Sequence, residues 1–147
     1  MYGTVLLLHV LAATVWTGGH LVLALAVLPR ALKERSPTEL IRFESGYERI
    51  GMPALLIQVV TGLWLAHRMV PDMREWISFD NPVSSLVGAK LVLLAVTVAI
   101  AADARLRIIP KLSADNLNSL AWHIMAVTGI AVLFVVIGVS FRTGWLY

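Results

Sequence analysis

The sequence contains no cysteine. Disulfides, thiolate metal sites and covalently attached c-type haem are thereby excluded. Charge is also scarce, since Asp, Glu, Lys and Arg make up only 14% of the 147 residues and leave long stretches with none. There is no H-E-x-x-H, no glycine-rich phosphate loop, and no serine nucleophile beside a histidine base in a recognisable motif, so hydrolysis finds no support. No apolar run alternates with period two, which argues against strands. No basic segment precedes the first apolar run; Arg30, the first basic residue, follows it. That order is the reverse of a cleavable signal peptide, so Val5–Pro29 is expected to be a retained helix.

What is present in excess is apolar surface. Hydrophobic residues account for 59% of the chain, and the mean hydropathy is +0.81, values that place it among integral membrane proteins. The expected fold is all-α: a single domain over residues 1–147, built as a membrane four-helix bundle. Its spans fall at about 5–29, 52–70, 86–104 and 118–141, each near the ~20 residues that a crossing helix needs. Arg30, Lys33, Arg35, Arg42 and Arg49 lie between spans one and two, and Arg105, Arg107 and Lys111 between spans three and four. Only Arg68, Arg74, Lys90 and Arg142 lie on the other side. The excess puts both basic connections in the cytoplasm and both termini outside. A multi-pass protein of a bacterial inner membrane is the expected setting. The net charge of +3 then reads as a topology signal, not as nucleic-acid binding.

The first connection is expected to carry a short amphipathic helix. Ser36-Pro37-Thr38-Glu39 has capping-box spacing with proline at the first helical position, and Leu40, Phe43, Tyr47 and Ile50 recur at helical spacing. Gly51 and Pro53 mark the join to span two. Asp115 or Ser113 is expected to cap span four. Trp76 and Phe79, in the outer connection, suit the headgroup level.

The four histidines all fall within spans. His9 and His20 are eleven residues apart, so both leave one face of span one, separated by roughly 16 Å along the axis. Trp16 lies between them on that face. His9 and His67 match in depth near the outer surface; His20 and His123 form a looser pair near the inner one. Two imidazoles at one depth on different helices suit the axial ligation of a b-type haem. One such haem is expected at His9 and His67, and a second is conceivable at His20 and His123. Gly18, Gly19, Ala12, Ala13 and Gly62 would let a macrocycle approach. Arg68, Lys90 and Arg142 outside, and Arg30 and Arg105 inside, would meet its propionates.

A competing constellation is His67, Met69 and Met73 in the run HRMVPDM, with Met1 and His9 at the same level. Imidazole and thioether together suit copper, especially the cuprous ion. Met69 lies ~200° around the helix from His67, so a shared site needs the helix to end near Val70.

Several short motifs resemble a known family. His9 with Trp16 and Leu28-Pro29-Arg30, Glu44 with Tyr47-Glu48-Arg49, Gly62-Leu63-Trp64-Leu65 and Ala89-Lys90-Leu91 are similar in order and spacing to a small four-helix membrane family. That family includes HemJ-type protoporphyrinogen oxidases and the CopD copper-resistance membrane domain, and the resemblance covers roughly residues 5–110. For the HemJ branch it implies b-type haem, with the histidine matching His9 as a ligand and the lysine matching Lys90 as a catalytic group for a carboxylate or a proton. For the CopD branch it implies copper uptake or tolerance. The last span departs from the HemJ branch, entering through Asn118-Ser119-Leu120-Ala121-Trp122-His123.

The leading expectation is therefore a haem-b membrane redox protein, an oxidoreductase or an electron-transfer protein. His9, His67, His20 and His123 would ligate iron, with Trp16, Arg68 and Arg30 around the cofactor. A copper-binding or copper-transport protein is the alternative. The expected partners are the lipid bilayer, a quinone-like or porphyrin small molecule, and further copies of the chain.

Overall fold

A computed structural model describes residues 1–146. Among them, four helical segments are long and apolar enough to cross a membrane: Tyr2–Glu34, Thr38–Met69, Pro82–Lys111 and Leu117–Thr143. The chain is a multi-pass integral membrane protein and an all-α bundle. The first segment consists of α1 (Tyr2–Val22), a π-helical stretch (Leu23–Val27) and α2 (Leu28–Glu34). Then come α3 (Thr38–Met69), α4 (Pro82–Asp103) and α5 (Leu117–Thr143). A second π-helical stretch, Ala104–Ile108, prolongs α4.

Both π stretches end just before a proline, Pro29 and Pro110. Proline has no N–H to offer the carbonyl one turn back, and the backbone widens locally instead of breaking. Polar residues within the helices satisfy themselves in the same economical way. The hydroxyls of Thr61, Thr97, Thr128 and Ser140 donate to the carbonyls of Ile57, Leu93, Ile124 and Val136, at 2.6–3.1 Å. A hydroxyl bonded like this needs no water in a bilayer, and its oxygen can still accept a bond from a neighbouring helix.

The amphipathic stretch after Ser36 is helical and runs without interruption into span two, so α3 contains both, with Pro53 inside it. The expected capping box does not form: Pro37 stands at the N-cap and no side chain bonds there. Neither Asp115 nor Ser113 caps α5. Asn116 holds that position, and its side chain ties the preceding turn together by accepting from Ser113 N–H at 2.8 Å and donating to the Lys111 carbonyl at 2.8 Å. In the outer connection Trp76 is buried, not interfacial, and its indole N–H donates to the Val70 carbonyl at 2.8 Å. Phe79 is exposed.

The helices pair as two antiparallel hairpins. α1 packs along α3, α4 packs along α5, and the hairpins meet where α1 packs on α5. Among the described residues α3 and α4 share no extended contact, leaving a cleft between them. Apolar contacts seal the bundle at three levels. Ala24, Leu28, Ala31, Leu40, Leu117, Leu120 and Ile124 pack at the end that carries the two basic connections, labelled inner, Trp16 with Val127 and Ala131 at mid-length, and Val70, Trp76 and Val87 at the opposite end, labelled outer. At the inner end Arg105 crosses the cleft to Glu48 at 2.8 Å and Glu44 at 3.8 Å. These groups are exposed enough that such a bridge contributes at most about 1 kcal/mol; it positions α4 against α3 more than it holds it.

Candidate functional site

The cleft holds two cavities, one above the other. The outer one has a volume of about 120 Å³ and is walled by His9, Gln58, Gly62, Met69, Lys90 and Phe141, among others. The inner one, about 480 Å³, is walled by His20, Tyr47, Met52, Glu44, Arg105 and His123, among others. Trp16, Leu55, Leu94 and Thr97 line both. Trp16, only 9% exposed, is thus the heart of the partition between them.

The polar lining of the outer cavity comes from three helices, His9 on α1, Gln58 on α3, and Lys90 and Thr97 on α4, and one stripe of α3 faces this space. Gln58, Thr61, Gly62, Leu65 and Met69 follow the spacing that keeps residues on a single helix face. Gly62 makes room for His9, because a Cβ there would stand 3.1 Å from the imidazole Cε1. Thr61 then orients the ring: its oxygen lies 2.9 Å from His9 Nδ1, while its own proton goes to the Ile57 carbonyl at 2.6 Å. With its proton spent, the hydroxyl can only accept from His9. The hydrogen-bond pattern therefore puts the proton on Nδ1 and leaves Nε2 as a free lone pair, the state a metal-binding imidazole needs.

Met69 ends α3, and Val70 is already extended, so the helix does stop where a shared copper site requires. The outer cavity is lined by Met69 together with His9, however, and not by His67. His67 lies nine residues after Gln58, about half a turn away from the cavity stripe, and it is exposed. The structure does not bring His9 and His67 into one space, and Met73, 66% exposed, is outside as well. Arg68 lies over the Trp64 ring at 5.8 Å on the exposed side. Arg30 pairs with Glu39 at 3.5 Å and lines neither cavity. Lys90 does reach the outer cavity, with its Nζ 5.4 Å from the centre of the Phe141 ring. Gln58 Oε1, on the same wall, is buried without a protein partner.

The inner pair behaves differently from the outer one. His20 and His123 do share a cavity. His20 Nδ1 donates to the Trp16 carbonyl at 2.9 Å, which leaves its Nε2 as a lone pair. His123 spends both nitrogens, Nδ1 on the Ser119 carbonyl at 2.8 Å and Nε2 on the Asp103 carboxylate at 2.9 Å. Carbonyl and carboxylate oxygens only accept, so His123 is tied up as the cationic partner of Asp103.

Of the glycines expected to admit a macrocycle, Gly18 has open space beside it, Gly62 faces His9, and Gly19 faces Tyr47, which also fills the space at Gly51. A Cβ at Gly19 or at Gly51 would collide with the ring of Tyr47. That ring crosses from α3 to α1, donates its hydroxyl to the carbonyls of Val15 and Trp16 at 3.1 and 3.0 Å, and meets His20 edge-on at 5.8 Å. Tyr47, Met52, Gln58 and Thr61 are thus site residues that the histidine reading missed. The available signal was polar residues on one face of an apolar span, with Gly62 beside Thr61 and the histidine at 67 on the opposite side.

Among the described residues, no group of three or more His, Cys, Asp or Glu side chains is arranged to hold a metal ion. Any metal bound in the cleft would rest on fewer and softer ligands. A family model, CopD (copper resistance protein D), matches residues 41–141. No curated protein and no solved structure matches the chain.

Proposed function

With the chain belonging to the copper resistance protein D family, we propose that it binds cuprous ions from the outer side of the membrane, in the outer cavity, and passes them inward. His9 Nε2 and the Met69 sulfur are the ligands. The observation that carries this reading is the way Thr61 fixes the His9 tautomer inside a cavity that also holds a thioether. Imidazole plus thioether is a soft donor set that favours Cu(I) over harder cations. A small, largely apolar cavity also disfavours ions that must keep several waters.

Lys90 lines the same cavity, with its Nζ held beside the Phe141 ring. The copper ion is cargo, and its transfer is an exchange of ligands with no electron moved. The setting we propose is a bacterial inner membrane, with both termini outside.

Silver ion, a redox-inert surrogate for Cu(I), tests the outer site in purified full-length protein. His9→Ala and Met69→Leu should each weaken binding at this site at least 10-fold, with His67→Ala unchanged. Silver affinity and stoichiometry left unchanged by both His9→Ala and Met69→Leu would refute the assignment.

The haem reading, with its quinone-like or porphyrin substrate, is the lesser one. His9 and His67 face different surroundings. His20 and His123 share a cavity, but iron ligation by His123 would first have to break its bond to Asp103. A Soret band in protein made with ample haem, lost on His20→Ala, would restore that reading.

A further inference from the structure

We infer that the inner cavity is a second cuprous station, formed by His20 and Met52, so that the cleft carries an ion in two steps on either side of Trp16. The inference rests on the copper reading of the outer cavity.

The inner cavity repeats the chemistry of the outer one. Each offers one imidazole from α1 and one thioether from α3: His9 and Met69 outside, His20 and Met52 inside. Each imidazole has its Nδ1 proton fixed on a protein oxygen, Thr61 Oγ1 for His9 and the Trp16 carbonyl for His20. Each therefore turns the same nitrogen, Nε2, into a free donor. His20 is also held by aromatic contacts, with the Trp16 ring centre at 4.4 Å and the Tyr47 ring edge-on at 5.8 Å. A ring gripped on two sides and bonded at Nδ1 is preorganised, which is what a low-coordinate ligand must be. Aromatic faces beside the path also attract a partly desolvated cation.

The alternatives in this cavity fit less well. His123 has no free nitrogen. Glu44 and Glu48 share Arg105 at the mouth, so they offer an inward pull on a departing cation and not a cage around it. A hard divalent ion would need the oxygen-rich cluster that the described residues lack. Transfer from one station to the next exchanges one imidazole–thioether pair for another, so neither redox partner nor proton is consumed.

The test is the stoichiometry of silver binding to the purified full-length protein in detergent. The unaltered chain should bind two equivalents. His20→Gln and Met52→Leu should each bind one, held by the outer site, and His9→Ala should bind one, held by the inner site. The double variant His9→Ala with His20→Gln should bind none. Unchanged helical circular dichroism and elution volume establish that each variant is folded. Copper K-edge absorption supplies an independent readout, since Met52→Leu should halve the copper bound while each remaining ion keeps the single sulfur neighbour of the outer site. One equivalent in the unaltered chain, lost with His9→Ala, overturns the inner station and leaves the outer reading standing. Two equivalents that persist in His20→Gln and Met52→Leu overturn it as well. No binding in the unaltered chain overturns both.

Discussion

Thr61 stands 2.9 Å from the Nδ1 of His9 and has already given its own proton to Ile57 at 2.6 Å. A hydroxyl in this state is an obligate acceptor, and it decides which nitrogen of its neighbour is free. Orienting partners of this kind typically govern a 10–100-fold range of metal affinity. Thr61→Val should therefore lower silver affinity at the outer site about 10–100-fold, while Thr61→Ser retains it. A competition titration against a soluble chelator measures both. Equal affinities for Val and Ser variants would mean that Thr61 only packs.

Gly62 is the second constraint on the same ring. A Cβ would come within 3.1 Å of His9 Cε1, so Gly62→Ala requires the imidazole to yield by a few tenths of an ångström. Gly62→Val requires much more, and overpacking of that sort costs about 1–3 kcal/mol. The expected outcome is a graded loss of thermal stability in detergent, small for Ala and larger for Val, paralleled by loss of silver binding. If His9→Ala is present, the Val penalty should largely vanish, because the clashing ring is gone. A double-mutant comparison of melting temperatures checks this coupling.

Trp16 separates the two cavities and packs on Val127 and Ala131. Trp16→Ala should merge them and raise the rate of silver movement into proteoliposomes several-fold, at a stability cost of about 3–5 kcal/mol. Trp16→Phe keeps a ring in the partition and should stay close to the unaltered rate. A rate that falls in Trp16→Ala, in protein shown to be folded, would mean the indole assists the ion instead of barring it.

Trp76 caps the outer end of the bundle through its bond to the Val70 carbonyl at 2.8 Å. Trp76→Phe preserves most of the apolar contact with Val70 and Val87 but leaves that carbonyl unpaired. Leaving a buried acceptor unmade costs about 1–3 kcal/mol, visible as a lower unfolding temperature. Silver stoichiometry should not change.

Much of this was readable in the residues. The lengths of the apolar runs specify four crossings, and the structure has four helices of that kind. His9, His20 and Trp16 do share a face of α1, as their spacing requires, and that face looks onto the two cavities. Depth alone was a poor guide to partnership. His9 packs beside Thr61 and Gly62, more than one helical turn short of His67, which also leaves α3 on the far side, so rotation about a helix axis matters as much as position along it. His123 illustrates a different gap: its engagement by Asp103 joins residues twenty positions apart through the packing of α4 on α5, which no local pattern encodes. Tyr47 was legible as part of an apolar stripe, but its seat against Gly19 and Gly51 depends on how closely α1 and α3 approach.

The pairing of helices also sets an order in time. α1 and α3 are consecutive long helices and pack on each other, as do α4 and α5, while the seam between the hairpins joins the first helix to the last. The amino-terminal hairpin, which contributes His9, Thr61, Gly62 and Met69, precedes the carboxy-terminal pair along the chain and is translated before it. The two ligands proposed for the outer cavity, His9 and Met69, thus both lie on the hairpin that is synthesised first, and the second hairpin supplies the facing wall with Lys90 and Phe141.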